Sequence, residues 1–305
     1  MLKTYNLIQG SITECLPHDM SVLLYICPDE NERKTLVDFY KLDAHTLSSA
    51  LDPDEQPRFE FEPDHFAVIF KRPKSYSGED RLLFKVSSTG LFLFKDKLII
   101  VLNEDVPVFD HKKLLKILSL NDLALKIIYS SISHFMEHLK IITSLTESIE
   151  SKINKSLENK YLTQLFTLQK SLVYYLQSIS ANGTLFERLK NNSEKIKFSQ
   201  EQVEFLDDMI IENNQCYRQA EIYNNILASL MDARASIVGN NLNILMKTLN
   251  LITIGLMFPT LIVSIFSMNV EFPLRDQPYA FYVIIGIALS SVAAVAIYWR
   301  KMGGR

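Results

Sequence analysis

The sequence predicts an α+β cytoplasmic domain, then a mainly α funnel with one very long helix and a two-helix transmembrane hairpin, assembled as a ring. Three observations predict it. Short apolar runs alternate with polar breaks through residues 1–120. No Gly or Pro interrupts residues 199–238. Two uncharged apolar stretches, 248–270 and 278–299, are each long enough to cross a hydrocarbon core of about 30 Å.

In the N-terminal domain, residues 1–120, the apolar runs predict strands at 4–8, 22–27, 66–72, 82–86, 91–94 and 98–102. Pro28 opens a predicted helix to Lys41, with Asp29, Glu30 and Glu32 in its first turn, where acids suit the helix dipole. A second short helix is predicted over 42–51, ended by Pro53. Lys95, Asp96 and Lys97 form the turn of a hairpin. Strands and helices in this mixture make a layered α+β domain. The acidic run 52–62, with its lone Arg58, has two readings: a cation site, or a solvated loop leading into an edge strand.

Residues 121–198 read as a helical hairpin. Asn121 and Asp122 offer an N-cap for a helix to 156. Leu125, Ile128, Ile132, Phe135, Leu139, Ile142, Leu145 and Ile149 advance by threes and fours, so one face is buried. A second helix, 161–189, carries Leu165, Leu168, Leu172, Tyr175, Leu176 and Ile179, and a short turn makes the pair antiparallel. His134, Glu137 and His138 fit the H-x-x-E-H spacing of inverted zinc peptidases. No partner carboxylate stands in a recognisable context, so a packing or surface role is expected and the chain is not expected to be an enzyme.

Residues 199–247 form the predicted cytoplasmic part of the long helix, opened by Ser199 and Gln202 as a capping box. The first span is 248–268, the outer loop 269–277, the second span 278–299 and the basic tail 300–305. A continuous helix to Phe266 would be about 100 Å long at 1.5 Å per residue. Pro259 sits inside the span and removes one backbone donor. Tyr279, Tyr282, Tyr298 and Trp299 lie near the ends of the second span, as interface anchors do. Lys247, Arg300, Lys301 and Arg305 place both termini in the cytoplasm of a plasma or inner membrane protein.

A stripe runs along the long helix in alternating steps of four and three: Asn225, Ser229, Asp232, Ser236, Gly239, Asn243, Met246, Asn250, Thr253, Met257, Thr260, Ser264 and Ser267. That is the 3.5-residue period of a bundle seam. The stripe is small, polar or Met, whereas its flanks are Leu, Ile and Phe. Polar groups at membrane depth face protein or a water-filled path. Two readings stay open: a small-residue packing face, or a pore wall built from several copies of the helix.

The chain has 305 residues, 32 basic and 35 acidic, for a net charge of −3. No basic excess exists to neutralise phosphates, so no nucleic-acid partner is expected. Cys15, Cys27 and Cys216 are far apart and form no CxxC pair, which argues against a disulfide framework or thiolate zinc site. Glycine-rich phosphate loops and serine-hydrolase motifs are absent.

The C-terminal layout resembles the CorA family of magnesium and divalent-cation channels. Phe266, Ser267, Met268 and Asn269 match the family's aromatic-Gly-Met-Asn signature, with Ser267 in place of Gly. Asn243, Met246, Lys247 and Leu249 extend the match, as does the run from Met257 through Pro259 to Thr260. The N-terminal half matches in layout and in Pro57, Arg58 and Glu60. The resemblance implies a homopentamer in membrane lipid that conducts Mg²⁺, with Co²⁺, Ni²⁺ or Zn²⁺ as alternatives. It implies an ion entrance at Ser267, Met268 and Asn269. Asn243 and Thr260 would line the pore, beside Asn250, Thr253, Met257 and Ser264 of the stripe. Met246 and Leu249 would form an apolar gate and Asp232 an acidic ring. Asp207 and Asp208 fall where cytosolic Mg²⁺ would hold the channel shut. Glu271 and Asp276 would supply the outer loop's charge in place of the family's usual Pro-Glu step.

Overall fold

The computed structural model describes residues 1–8, 10–15, 20–76, 82–109, 117–153, 159–268 and 277–303. The chain divides into two units, Met1–Met231 and Asp232–Arg305.

In the first unit the strands are β1 (Leu2–Ile8), β2 (Ser11–Glu14), β3 (Val22–Ile26), β4 (Arg58–Phe61), β5 (His65–Pro73), β6 (Val86–Phe94) and β7 (Leu98–Leu102). Every residue of β3 and β7 is apolar, a pattern that needs both faces covered. These two pair in parallel at the middle of a sheet of order β2-β1-β3-β7-β6-β5-β4, and all other pairings are antiparallel. Alternate side chains then go to opposite layers. Val22, Leu24, Ile26, Leu98, Ile100 and Leu102 enter the core under the long helices. Leu23, Tyr25, Ile99 and Val101 enter a second core under two short helices, α1 (Glu30–Asp38) and α2 (Ala44–Leu51). The expected layered α+β domain is therefore three layers deep. Gly90 of β6 is where α2 comes closest: a Cβ there would lie 2.6 Å from that of Ala50.

The long helices are α3 (Leu120–Ile153), α4 (Asn159–Asn191), a single turn α5 (Ser193–Ile196), α6 (Gln200–Phe266) and α7 (Ala280–Gly303). The Ser199/Gln202 capping box forms, with Ser199 N–H donating to Gln202 Oε1 at 3.0 Å and Gln202 N–H to Ser199 Oγ at 3.3 Å. In the middle of α4, Asn182 is fully buried and grips the sheet. Its Oδ1 accepts from the Lys71 N–H at 2.9 Å and its Nδ2 donates to the Lys71 carbonyl at 2.8 Å. An apolar residue there would orphan two buried backbone groups, at about 1–3 kcal/mol each.

Several expected boundaries are corrected. Residues 82–86 are not a strand. Leu82 has φ 70°, and the Phe84 N–H donates to Ser171 Oγ of α4 at 3.0 Å, so only Val86 joins the sheet. The helix expected from Pro28 starts after Asp29, whose side chain caps it in a box with Glu32. The helix expected over 42–51 starts after Asp43, which accepts from the Thr46 N–H. Ser119, not Asn121 or Asp122, caps α3, accepting from the Asp122 N–H at 3.1 Å. The edge strands β2 and β4 were not expected, nor was α5.

The acidic run was expected to be a loop leading into an edge strand, and it contains the edge strand β4 itself. Arg58 on the edge strand β4 pairs with Glu55 and with Glu60, the latter at 2.5 Å. Glu60 also accepts from the Thr46 hydroxyl at 2.9 Å, which ties α2 to the sheet edge.

Candidate functional site

The second unit contains the rest of α6, from Asp232, and α7. Both helices are long and apolar enough to cross a membrane. On α6 the half-buried positions are Leu251, Gly255, Pro259, Ile262 and Phe266, one face at four- and three-residue spacing. Leu251 and Gly255 line a groove with Val292, Val295, Ala296, Ile297, Trp299 and Arg300 of α7, so this is the face that α7 covers. Thr253, Met257 and Ser264 stand two residues beyond Leu251, Gly255 and Ile262. At 3.6 residues per turn that is about 200° around the helix. The stripe thus lies opposite the covered face. Asp232, Asn243, Met246, Leu249, Asn250, Thr253, Met257, Thr260, Ser264, Ser267 and Met268 are all exposed. In the first unit, Asn225 and Ser229 of α6 are exposed too. A packing face for the chain's own second span would be half-covered, and the stripe is not.

The hydroxyls have a fixed orientation. Thr253 Oγ1 donates to the Leu249 carbonyl at 2.9 Å, Thr260 Oγ1 to Leu256 at 2.6 Å and Ser267 Oγ to Ser264 at 2.8 Å. Each hydroxyl proton is used within the helix, so each oxygen offers only lone pairs outward. With the amides of Asn243 and Asn250, the stripe is rich in oxygen acceptors. Hard divalent cations and their bound waters take such oxygens. The thioethers of Met246 and Met257 and the Leu249 side chain interrupt them with apolar surface.

Asn269, Glu271 and Asp276 lie outside the described residues, so the entrance is described only through Ser267 and Met268. In the first unit, Asp207 is half-exposed and pairs with Lys190 of α4 at 2.6 Å, while Asp208 is exposed. Among the described residues no group of three or more His, Cys, Asp or Glu side chains could hold a metal.

The zinc-peptidase spacing is a packing motif. His138 is buried, and its Nδ1 lies 2.6 Å from the Tyr175 hydroxyl of α4. The rings of Phe84, His134 and Tyr175 surround it. Burial pushes its imidazole down to about 4, against the smaller opposing pull of Glu137. The unfolded imidazole titrates near its ordinary value of 6.5. Between these values the unfolded chain binds the extra proton, so stability is full above 6.5 and falls as pH drops toward 4. We expect the melting temperature of wild type to fall across that window and that of His138→Gln to fall less. Parallel curves for the two proteins would show that His138 does not carry the acid sensitivity.

The sequence pattern missed two features of the hairpin. One is the groove beside Gly255, where an added Cβ would meet nothing within 4 Å. The other is the acceptor-only presentation of the stripe hydroxyls, which needs side-chain rotamers to be seen.

Comparison with known proteins finds one full-length pattern. A family model described as CorA-like Mg²⁺ transporter protein matches residues 23–301. The cobalt/magnesium transport protein CorA of Methanocaldococcus jannaschii is 22% identical over 316 aligned positions, covering 99% of this chain and 97% of that protein. The complete structure of the CorA magnesium transporter from that organism superposes with a TM-score of 0.85 at 21% identity, covering 99% of this chain and 98% of the other. Full-length CmaX superposes at 0.72 with 14% identity, covering 98% and 96%. The ZntB cytoplasmic domain from Vibrio parahaemolyticus gives 0.59 at 16% identity, covering 78% of this chain and 98% of that domain.

Proposed function

The chain belongs to the CorA-like Mg²⁺ transporter family, and from that premise we propose that it is a homopentameric channel for Mg²⁺, with Co²⁺ and Ni²⁺ as further cargo. Membership makes it a divalent-cation transporter and not an enzyme. The observation that carries the channel reading is the acceptor stripe on α6, left uncovered by the second span and on the side opposite it. One chain offers two spans, which cannot enclose a path, so several copies of α6 around an axis are required. Five is the number that the family resemblance supplies.

In this reading the ion approaches Ser267, Met268 and Asn269 as a hydrated cation, because Mg²⁺ sheds water reluctantly. Glu271 and Asp276 raise its local concentration. The oxygens of Ser264, Thr260, Thr253, Asn250 and Asn243 accept hydrogen bonds from its waters. Met246 and Leu249 narrow the path and close it by dewetting. Asp232 supplies a ring of negative charge. Asp207 and Asp208, exposed or half-exposed on the first unit, meet a neighbouring subunit through cytosolic Mg²⁺ and hold the closed state. Both termini are cytoplasmic and the membrane is the plasma or inner membrane.

The test is metal-specific flux into proteoliposomes of the purified full chain. Mg²⁺ and Co²⁺ should enter, and Mg²⁺ inside the vesicles should slow entry. Entry of Zn²⁺ without Mg²⁺ would replace this reading with a zinc transporter of the same architecture. No flux of any divalent metal would leave a membrane-anchored scaffold.

A further inference from the structure

We propose that the groove between α6 and α7 at the Arg300 end of the hairpin is a binding site for one anionic phospholipid. The proposal rests on the reading that both helices cross a membrane. The groove has a volume of about 380 Å³ and is lined by Leu251 and Gly255 on one side and Val292, Val295, Ala296 and Ile297 on the other. Its lining changes character at one end, where Trp299 and Arg300 join it. The space beside Gly255 is open: a Cβ there would meet no atom within 4 Å, so this glycine does not serve close helix contact. Among the described residues of α7, Ala288 is the one buried position, three turns from the mouth, and the half-buried Ser291 and Val295 carry the same face on toward Arg300.

The occupant follows from the two halves of the site. An apolar cleft open to the bilayer takes an acyl chain. The cation at its end takes a phosphate, because guanidinium pairs with phosphate oxygens in a bidentate fork. Lys247 stands one turn before Leu251 on α6, and Lys301 follows Arg300, so three cations gather at the same level of the hairpin. The described part of unit two has one acidic residue, Asp232, about four turns before Lys247. Trp299 belongs at the depth of the headgroups. A zwitterionic lipid offers the same chains with its phosphate charge offset by choline, so the charge of the headgroup is what this site distinguishes.

The experiment uses full-length protein in vesicles of phosphatidylglycerol mixed with phosphatidylcholine, extracted gently and weighed by native mass spectrometry. Wild type should retain phosphatidylglycerol in a ratio of one per chain and retain little phosphatidylcholine. Gly255→Leu fills the groove and should lose the lipid while keeping the oligomeric mass. Arg300→Gln should weaken retention about fivefold, the effect of one juxtamembrane basic residue. Equal retention of the two lipids, or unchanged retention in Gly255→Leu, overturns the proposal. So does a change in oligomeric mass in Gly255→Leu, which would assign the groove to a second copy of the chain. Mg²⁺ flux in the same vesicles separates the two readings: flux with unselective lipid retention sinks only the lipid site, whereas no flux sinks the channel.

Discussion

Asn269→Ala should reduce Mg²⁺ entry into proteoliposomes by at least about tenfold, with assembly unchanged. A hydrogen bond to a charged group contributes about 1.5–3 kcal/mol, and each subunit of a ring would lose one at the same point. In the proposed channel the amide oxygen of Asn269 accepts from a water of the hydrated ion, and alanine offers no acceptor. Ser267 makes this position the more exposed to loss. Its hydroxyl already donates to the Ser264 carbonyl at 2.8 Å, so it can only accept, and it is the first residue past the helix end at Phe266. Native mass and flux measured on one preparation distinguish the outcomes. Normal assembly with normal flux would remove Asn269 from the entrance and, with it, the functional content of the Met268-Asn269 match.

Much of this architecture was readable because its signals are long. The stripe repeats over more than ten turns of α6, and chance does not hold a 3.5-residue period that far. The fully apolar strands β3 and β7 announce a covered sheet in the same way. Short elements were lost for the opposite reason. Strand β4 is Arg-Phe-Glu-Phe, and its burial is half, so it carries no run to detect. Residues 82–86 look like a strand because Leu82, Leu83, Phe84 and Val86 are apolar, yet the Phe84 N–H bonds to α4 rather than to a neighbouring strand. Hydrophobicity reports burial, and burial under a helix reads the same as burial in a sheet. The histidine pair was expected to serve packing or the surface, as it does, but its partner was out of reach of the sequence. Spacing brought His134 and His138 to one face, with ring centres 4.3 Å apart, but the buried Tyr175 hydroxyl that occupies His138 comes from α4, beyond any local pattern.

The orientation of the stripe gives the sharpest test of conduction, because α6 contains its own control. Thr248, Thr253 and Thr260 all lie in the first span and all donate to the carbonyl four residues back, Thr248 to Ile244 at 2.9 Å. They differ in direction. Thr253 and Thr260 belong to the acceptor stripe, whereas Thr248 shares the side of Leu251 and Gly255, three and seven residues on. Valine matches threonine in shape and replaces the hydroxyl by a methyl group, so helix propensity and volume barely change. The double variant Thr253→Val/Thr260→Val should lose at least about tenfold in Mg²⁺ flux, since two acceptor levels are removed at about 1 kcal/mol or more each. Thr248→Val should conduct as wild type does. If the two results exchange, the conducting face is the one that α7 covers and the path described here is wrong. If neither variant changes flux, the hydrated ion does not touch the stripe, and the exposure of these oxygens must serve contact between helices of neighbouring copies.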